Sequence, residues 1–114
     1  MGLTQKEQRW VFGADIDSST PGDGVTRKVL AYFDDAMCVV HHFKKDGVGA
    51  LHTHPHKQIT YVADGVFDFE IDGETKTVKK GDSMYKESGV LHGCKCLEEG
   101  TLVDFFVPMR EDFI

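Results

Sequence analysis

Three cysteines, three prolines and one tryptophan in 114 residues narrow the architectures open to this chain. An odd and small number of cysteines (Cys38, Cys94, Cys96) cannot build a disulfide scaffold. Cys94-Lys95-Cys96, with no second cysteine pair, reads as part of a strand rather than as a metal clip. No apolar run approaches a membrane-spanning length, and the first ten residues lack the apolar stretch and cleavage pattern of a secretory leader. A cytoplasmic protein without a membrane partner is therefore expected. Positive charge is scarce too: 13 Lys and Arg stand against 19 Asp and Glu, a formal net charge of −6. That balance gives no broad positive field for a nucleic-acid backbone. An anion would have to be held locally, by a metal ion or a placed arginine.

What is present points to strands. Arg27–Phe33, Ala36–Phe43, Gln58–Ala63, Phe67–Ile71, Thr75–Val78 and Thr101–Val107 are rich in β-branched and aromatic residues, with Gly and Asp between them. Phe67, Phe69 and Ile71 alternate with Asp68, Glu70 and Asp72, the pattern of a half-buried antiparallel strand, and Asp72-Gly73 supplies a hairpin turn. Helical spacing is weak except near residues 4 to 12. Ser18 to Gly24 reads as a loop. The expectation is one all-β domain, a sandwich or closed barrel over residues 27–114, with residues 1–26 packing on it.

Six histidines are unevenly placed. His52-Thr53-His54 begins a strand-like run, and residues two apart on a strand share a face, so two imidazoles can converge on one ion. Gln58 follows after three residues and can add a neutral amide oxygen. His92, about forty residues on, can return beside them in an antiparallel meander. Imidazole donors suit Zn, Ni, Cu, Co or Fe rather than Mg or Ca.

Leu102, Asp104, Phe106, Pro108 and Arg110 share parity, against Val103, Phe105 and Val107 on the other face. Pattern alone slightly favours Asp104 at the surface. The alternative turns Asp104 and Arg110 into a barrel mouth, where a carboxylate can move a proton and a guanidinium can clamp an anion.

The histidine region resembles the first cupin motif, Gly-x5-His-x-His-x3,4-Glu-x6-Gly: His52, His54, position 58 and Gly65 fit, with Gln58 for Glu and Gly47 one residue too close. Gly81, Gly89 and His92 resemble the second motif, with Glu87 and Cys96 in place of its Pro and Asn. From about Arg27 to Ile114 the chain is similar to the small pectin-degradation cupins, the KdgF-like family, through Arg27–Tyr32, His52–Val62 and Pro108–Phe113. The resemblance implies a jelly-roll-type cupin barrel. It also implies one divalent ion (Ni, Zn, Fe, Mn or Co) held by His52, His54, Gln58 and His92, and a catalytic set of Asp104, Phe106 and Arg110. The implied activity opens cyclic 4,5-unsaturated uronates to a linear keto form, and the implied assembly is a homodimer. A cupin dioxygenase or isomerase with another substrate, and a non-catalytic small-molecule sensor, are the competing readings.

Of the remaining residues, His41 and His42 are adjacent in one strand, so one faces in and the other out. His56 is expected outside the ligand set. Tyr61, Tyr85 and Lys86 read as core or surface before they read as pocket residues, and Trp10 and Phe12 as a cover over the barrel or a partner.

Overall fold

Strand-forming residues with Gly and Asp at their ends become eight antiparallel strands in the computed structural model, which describes residues 8–114. They are β1 (Ser19–Gly22), β2 (Val25–Phe33), β3 (Ala36–Phe43), β4 (Val48–His52), β5 (Lys57–Ile71), β6 (Glu74–Lys79), β7 (Ser83–Lys86) and β8 (His92–Val107). Short 3-10 turns at Gly13–Asp15 and Glu111–Phe113 flank them. The hydrogen-bonded order is β1-β2-β3-β8-β5-β6, with β4 added to β8 and β7 to β5. The result is an all-β, jelly-roll-type barrel.

Two long strands, β5 and β8, pair along most of their length and bend together. The C-terminal part of β8 lies between β3 and the start of β5, whereas its N-terminal part lies between β4 and the end of β5. One strand pair thus serves both layers. The bend falls where the β5–β8 register shifts, from Val62 to Phe67. Gly65 there has φ +85°, and a Cβ on it would come within 2.5 Å of the Gly100 Cα. Only paired glycines let the two backbones cross this closely.

The layers enclose two apolar clusters. One joins Val25, Phe43, Val62, Phe67, Phe69 and Leu102; the other joins Tyr32, Met37, Val39 and Phe106. Phe67 is fully buried, and such a side chain contributes roughly 1.5–3 kcal/mol through the apolar area it removes from water. Between the clusters the interior turns polar, and that is where the site lies.

Several boundaries differ from the sequence reading. The runs at Gln58–Ala63 and Phe67–Ile71 are one strand, because the Gly65 bend keeps the ladder continuous. Ser19–Gly22 is a strand paired with β2 rather than a loop, its turn supplied by Gly24 at φ +72°. Gln8 to Phe12 are not helical; the rest of the segment from residue 4 lies outside the described residues. Trp10 and Phe12 are 74% and 65% exposed and cover no core. The hairpin at Asp72-Gly73 forms as expected, with φ +52° and +81° and Ile71 opposite Glu74. Among the described residues no helix is long and apolar enough to cross a membrane.

Candidate functional site

β4 ends at His52, directly opposite His92 at the start of β8. His54 is not on the same strand: it sits in the turn before β5, so the turn, and not strand parity, brings it back. The ring centroids lie 4.5 Å apart for His52–His92, 4.8 Å for His54–His92 and 5.4 Å for His52–His54. One donor atom from each of the three falls within 4.8 Å of the others, a group that could hold a metal ion. His56 lies outside the triad, its ring 5.4 Å from that of His54.

The backbone prepares two of these rings. His52 Nδ1 lies 2.7 Å from the Ala50 carbonyl oxygen and His92 Nδ1 lies 3.0 Å from that of Val90. A neutral imidazole that donates through Nδ1 presents its Nε2 lone pair, the arrangement a metal ligand needs. His92 Nε2 is buried and has no hydrogen-bond partner. An orphaned acceptor of this kind is costly unless something occupies the space before it. Gln58 Oε1 lies 2.9 Å from His54 Nε2, placing an amide oxygen beside the imidazole. Three imidazoles and one amide oxygen carry no charge and suit a transition ion such as Zn, Ni or Co.

Burial pushes the His92 imidazole down to about 4, and the Val90 carbonyl only partly offsets it. Burial also lowers His54 and His56. Burial thus favours the neutral form of His54, His56 and His92, and a neutral ring is the form that can ligate.

Beneath the imidazoles a buried polar chain runs across the sheet. Asp104 is 2% exposed. Its Oδ2 accepts from His41 Nδ1 at 2.7 Å, and its Oδ1 accepts from Gln58 Nε2 at 2.8 Å and from Thr60 Oγ1 at 2.5 Å. Arg27 Nε donates to His41 Nε2 at 3.0 Å, and Lys86 Nζ donates to Thr60 Oγ1. Burial alone would raise the Asp104 carboxyl, but the hydrogen bond from His41, the Lys86 ammonium and the Thr60 hydroxyl hold it down at about 2. Burial lowers Lys86 to about 8, with Asp104 working the other way.

Leu102, Asp104 and Phe106 are the buried face of β8, while Phe105 and Val107 point outward and are 46% and 40% exposed. The slight preference for a surface Asp104 is thus reversed, because donors on β3, β5 and β7 compensate a carboxylate that the alternation alone cannot place. Past β8 the chain turns over the barrel mouth. There the Arg110 guanidinium lies 5.2 Å from the Phe106 ring centroid and 4.2 Å from that of Phe113, and Arg110 grips Asp112 through two bonds of 3.0 and 2.8 Å. Arg27 covers the Phe113 ring too, 3.6 Å from its centroid. A cavity of about 430 Å³ is lined by His52, Gln58, His92, Asp104, Phe106 and Arg110, and by Arg27, His41 and Lys86.

Lys86 corrects the sequence reading: it is 1% exposed and lines the cavity, whereas Tyr85 and Tyr61 point outward. His41 is the inward member of its pair, and His42 contacts Thr101 and the exposed Glu99 outside the cavity lining. Arg27 and Phe113 lie in segments that carry the family resemblance but are not among the expected site residues, and both join the site.

Residues 39–107 match the Cupin domain family. The chain is 44% identical over 105 residues to the pectin degradation protein KdgF of Dickeya dadantii (strain 3937), covering 87% of this chain and 96% of that protein. A solved RmlC-like cupin from Shewanella frigidimarina NCIMB 400 superposes with a TM-score of 0.92 at 35% identity, covering 97% of this chain and all of that one. The structure of KdgF from Halomonas sp. superposes with a TM-score of 0.89 at 31% identity, covering 94% of this chain and 99% of that one. Fold, site and sequence agree: the chain belongs to the cupin family and, within it, to the group of KdgF.

Proposed function

We propose that this chain is a metal-dependent, non-redox enzyme that converts cyclic 4,5-unsaturated uronates, the products of pectin or alginate lyases, into linear 5-keto-4-deoxyuronates. The observation that carries the reading is the buried Asp104 carboxylate lining one cavity with Phe106, His52 and His92, with Arg110 at the mouth. Likeness to a pectin degradation protein over nearly its whole length supports the substrate class.

When bound by His52, His54, Gln58 and His92, a divalent ion supplies Lewis-acid polarisation of substrate oxygens without any change of oxidation state. Arg110 binds a substrate carboxylate, as a planar guanidinium does best. Asp104 accepts the proton of the anomeric hydroxyl while the bond between the ring oxygen and C1 breaks, its electron pair staying on oxygen, giving an aldehyde at C1 and an enolate at C5. The enolate ketonises by taking a proton at C4, which returns Asp104 to its ionised form when the Asp104 carboxyl supplies it directly or through water. One proton leaves an oxygen and one arrives at a carbon, so the reaction is an isomerisation with no net water or electrons. A carboxyl held down at about 2 stays ionised at neutral pH, the form that can take up a proton. Phe106 packs against the sugar ring and excludes water.

The test mixes metal-loaded protein with lyase-generated unsaturated galacturonate and follows loss of the alkene absorbance against spontaneous conversion. Acceleration is expected, and Asp104→Asn at saturating metal removes it. No acceleration by protein with its metal confirmed would end the proposal, and strict dependence on iron and O2 would replace it with an oxygenase.

A further inference from the structure

We infer that Asp104 determines which end of the Gln58 amide faces the three imidazoles, and that the amide at position 58 and the carboxylate at position 104 are a matched pair. The inference rests on the metal centre proposed above and is independent of the substrate.

The direction of every hydrogen bond in the buried chain is fixed from its two ends. Arg27 can only donate, so His41 Nε2 accepts from it and the ring proton sits on Nδ1, directed at Asp104 Oδ2. Lys86 can only donate, so Thr60 Oγ1 accepts from it and turns its own proton to Asp104 Oδ1. The end of Gln58 that meets Asp104 Oδ1 at 2.8 Å and Thr60 Oγ1 at 3.3 Å therefore faces acceptors and must be its NH2. Its oxygen is left pointing at His54, 2.9 Å from Nε2. Reversing the amide would set an oxygen against the carboxylate and an NH2 group toward the ion, wrong at both ends.

The same geometry explains why position 58 departs from the glutamate of the general cupin motif. A glutamate in this rotamer would bring a second anionic oxygen within about the 2.8 Å now spanned by the Gln58–Asp104 bond, in a buried site where like charges repel strongly. An asparagine at position 104 would relieve that conflict. Its NH2 would donate to the glutamate at position 58 while its oxygen still accepted from His41. Glutamate at position 58 with asparagine at position 104 is thus the alternative solution, and each mixed combination leaves a mismatch.

Four proteins test this: wild type, Gln58→Glu, Asp104→Asn and the double variant. Each is melted in EDTA and titrated in metal-free form with Zn2+ and Co2+ against a chromophoric chelator, with circular dichroism confirming the fold. In EDTA, Gln58→Glu is expected to lower Tm when Asp104 is present and to raise it in the Asp104→Asn background. The ratio of metal affinities, Gln58→Glu over its parent, is expected to be at least tenfold larger in the Asp104→Asn background. An effect of Gln58→Glu with the same sign of Tm shift in both backgrounds, or an affinity ratio differing by less than tenfold, overturns the pairing. The melting cycle needs no ion, so failure of wild type to bind either metal would count against the metal centre alone. Asp104→Leu, which cannot accept a hydrogen bond, is expected to lose roughly 10–100-fold in affinity, the usual cost of removing a partner that orients a ligand; unchanged affinity in the folded variant overturns the orienting role.

Discussion

Arg27 Nε donates to His41 Nε2 over 3.0 Å, and this bond decides the tautomer of a ring whose other nitrogen lies 2.7 Å from Asp104 Oδ2. Asp104 is thereby kept an acceptor, and it owes its low pKa to partners that outweigh its burial. A triad of this kind can be loosened one member at a time.

His41→Phe keeps a ring against Phe43 and Phe113 but removes the donor. Loss of a hydrogen bond to a buried charge is expected to cost roughly 1.5–3 kcal/mol in urea unfolding at pH 7. The acid side should respond as well. With its folded pKa about 2 and its ordinary value 3.8, Asp104 contributes stability that is complete above the higher figure and disappears as pH falls through the lower. Without His41 the folded pKa rises toward the ordinary value, so the acid-linked loss becomes smaller and is complete at a higher pH, while its onset, set by the unfolded chain, stays near 3.8. Unfolding curves that superpose with wild type from pH 5 to 2 would show that the pair carries no such energy.

A second prediction concerns the shared bend of β5 and β8. Gly65→Ala must place a Cβ against the Gly100 backbone at φ +85°, and Gly100→Ala would overlap the Asp64 carbonyl oxygen. Both should fall among the severe class of backbone substitutions, above about 4 kcal/mol or with no folded protein. Gly73→Asn is the control: its φ is similar, at +81°, but nothing lies within 4 Å of the added atom, and Asn tolerates this region. Comparable Tm losses in Gly65→Ala and Gly73→Asn would locate the cost at Gly65 in the dihedral rather than in the crossing.

How much of this is legible in the sequence depends on whether the information is local. Ala36–Phe43 is dense in β-branched and aromatic residues, and its boundaries are those of β3. The hairpin at Asp72-Gly73 is equally plain. β7 escapes a reading by pattern because Ser83-Met84-Tyr85-Lys86 shows no apolar alternation, its buried member being a lysine. The first half of β8 escapes it because Cys94–Glu99 mixes thiols and charges. On the second half of β8 both faces carry large apolar residues, so parity cannot say which way Asp104 turns. That answer lies in Arg27, His41, Thr60 and Lys86, residues on four other stretches of chain whose roles exist only after the strands pair. Lysines are rarely buried, and nothing within a few residues of Lys86 announces the exception. The histidines of the candidate metal group can be read from motif spacing; the polar chain beneath them cannot.

The chain has six histidines, and the geometry sorts them. His52→Ala or His92→Ala is expected to leave purified protein with substoichiometric metal, while His42→Ala and His56→Ala retain the wild-type content. His42 is engaged with Thr101 and Glu99 away from the cavity, and His56 lies outside the triad. Elemental analysis after dialysis against a weak chelator reads the result directly. Retention of full metal content by His92→Ala would remove the imidazole whose unpartnered Nε2 most directly argues for an ion.

Acid should weaken the metal-free fold well before it reaches the carboxylates. Burial holds the folded His92 pKa at about 4 against an ordinary value of 6.5, and the interval between them defines the window. Inside it the unfolded chain binds a proton that the folded chain refuses, so stability is whole above the upper figure and declines as pH drops toward the lower. One such group gives a slope of about 1.4 kcal/mol per pH unit where the two states differ by a full proton. His54 and His56 are displaced in the same direction by burial and steepen it. Urea midpoints of the EDTA-treated protein should therefore fall between pH 7 and 5, and less steeply in His92→Asn. A bound ion holds the same rings unprotonated, so saturating Zn2+ should flatten the upper part of the curve until acid displaces it. Midpoints that do not move between pH 7 and 5 would mean that these imidazoles are open to water in the folded chain, which the burial of His54 and His92 contradicts.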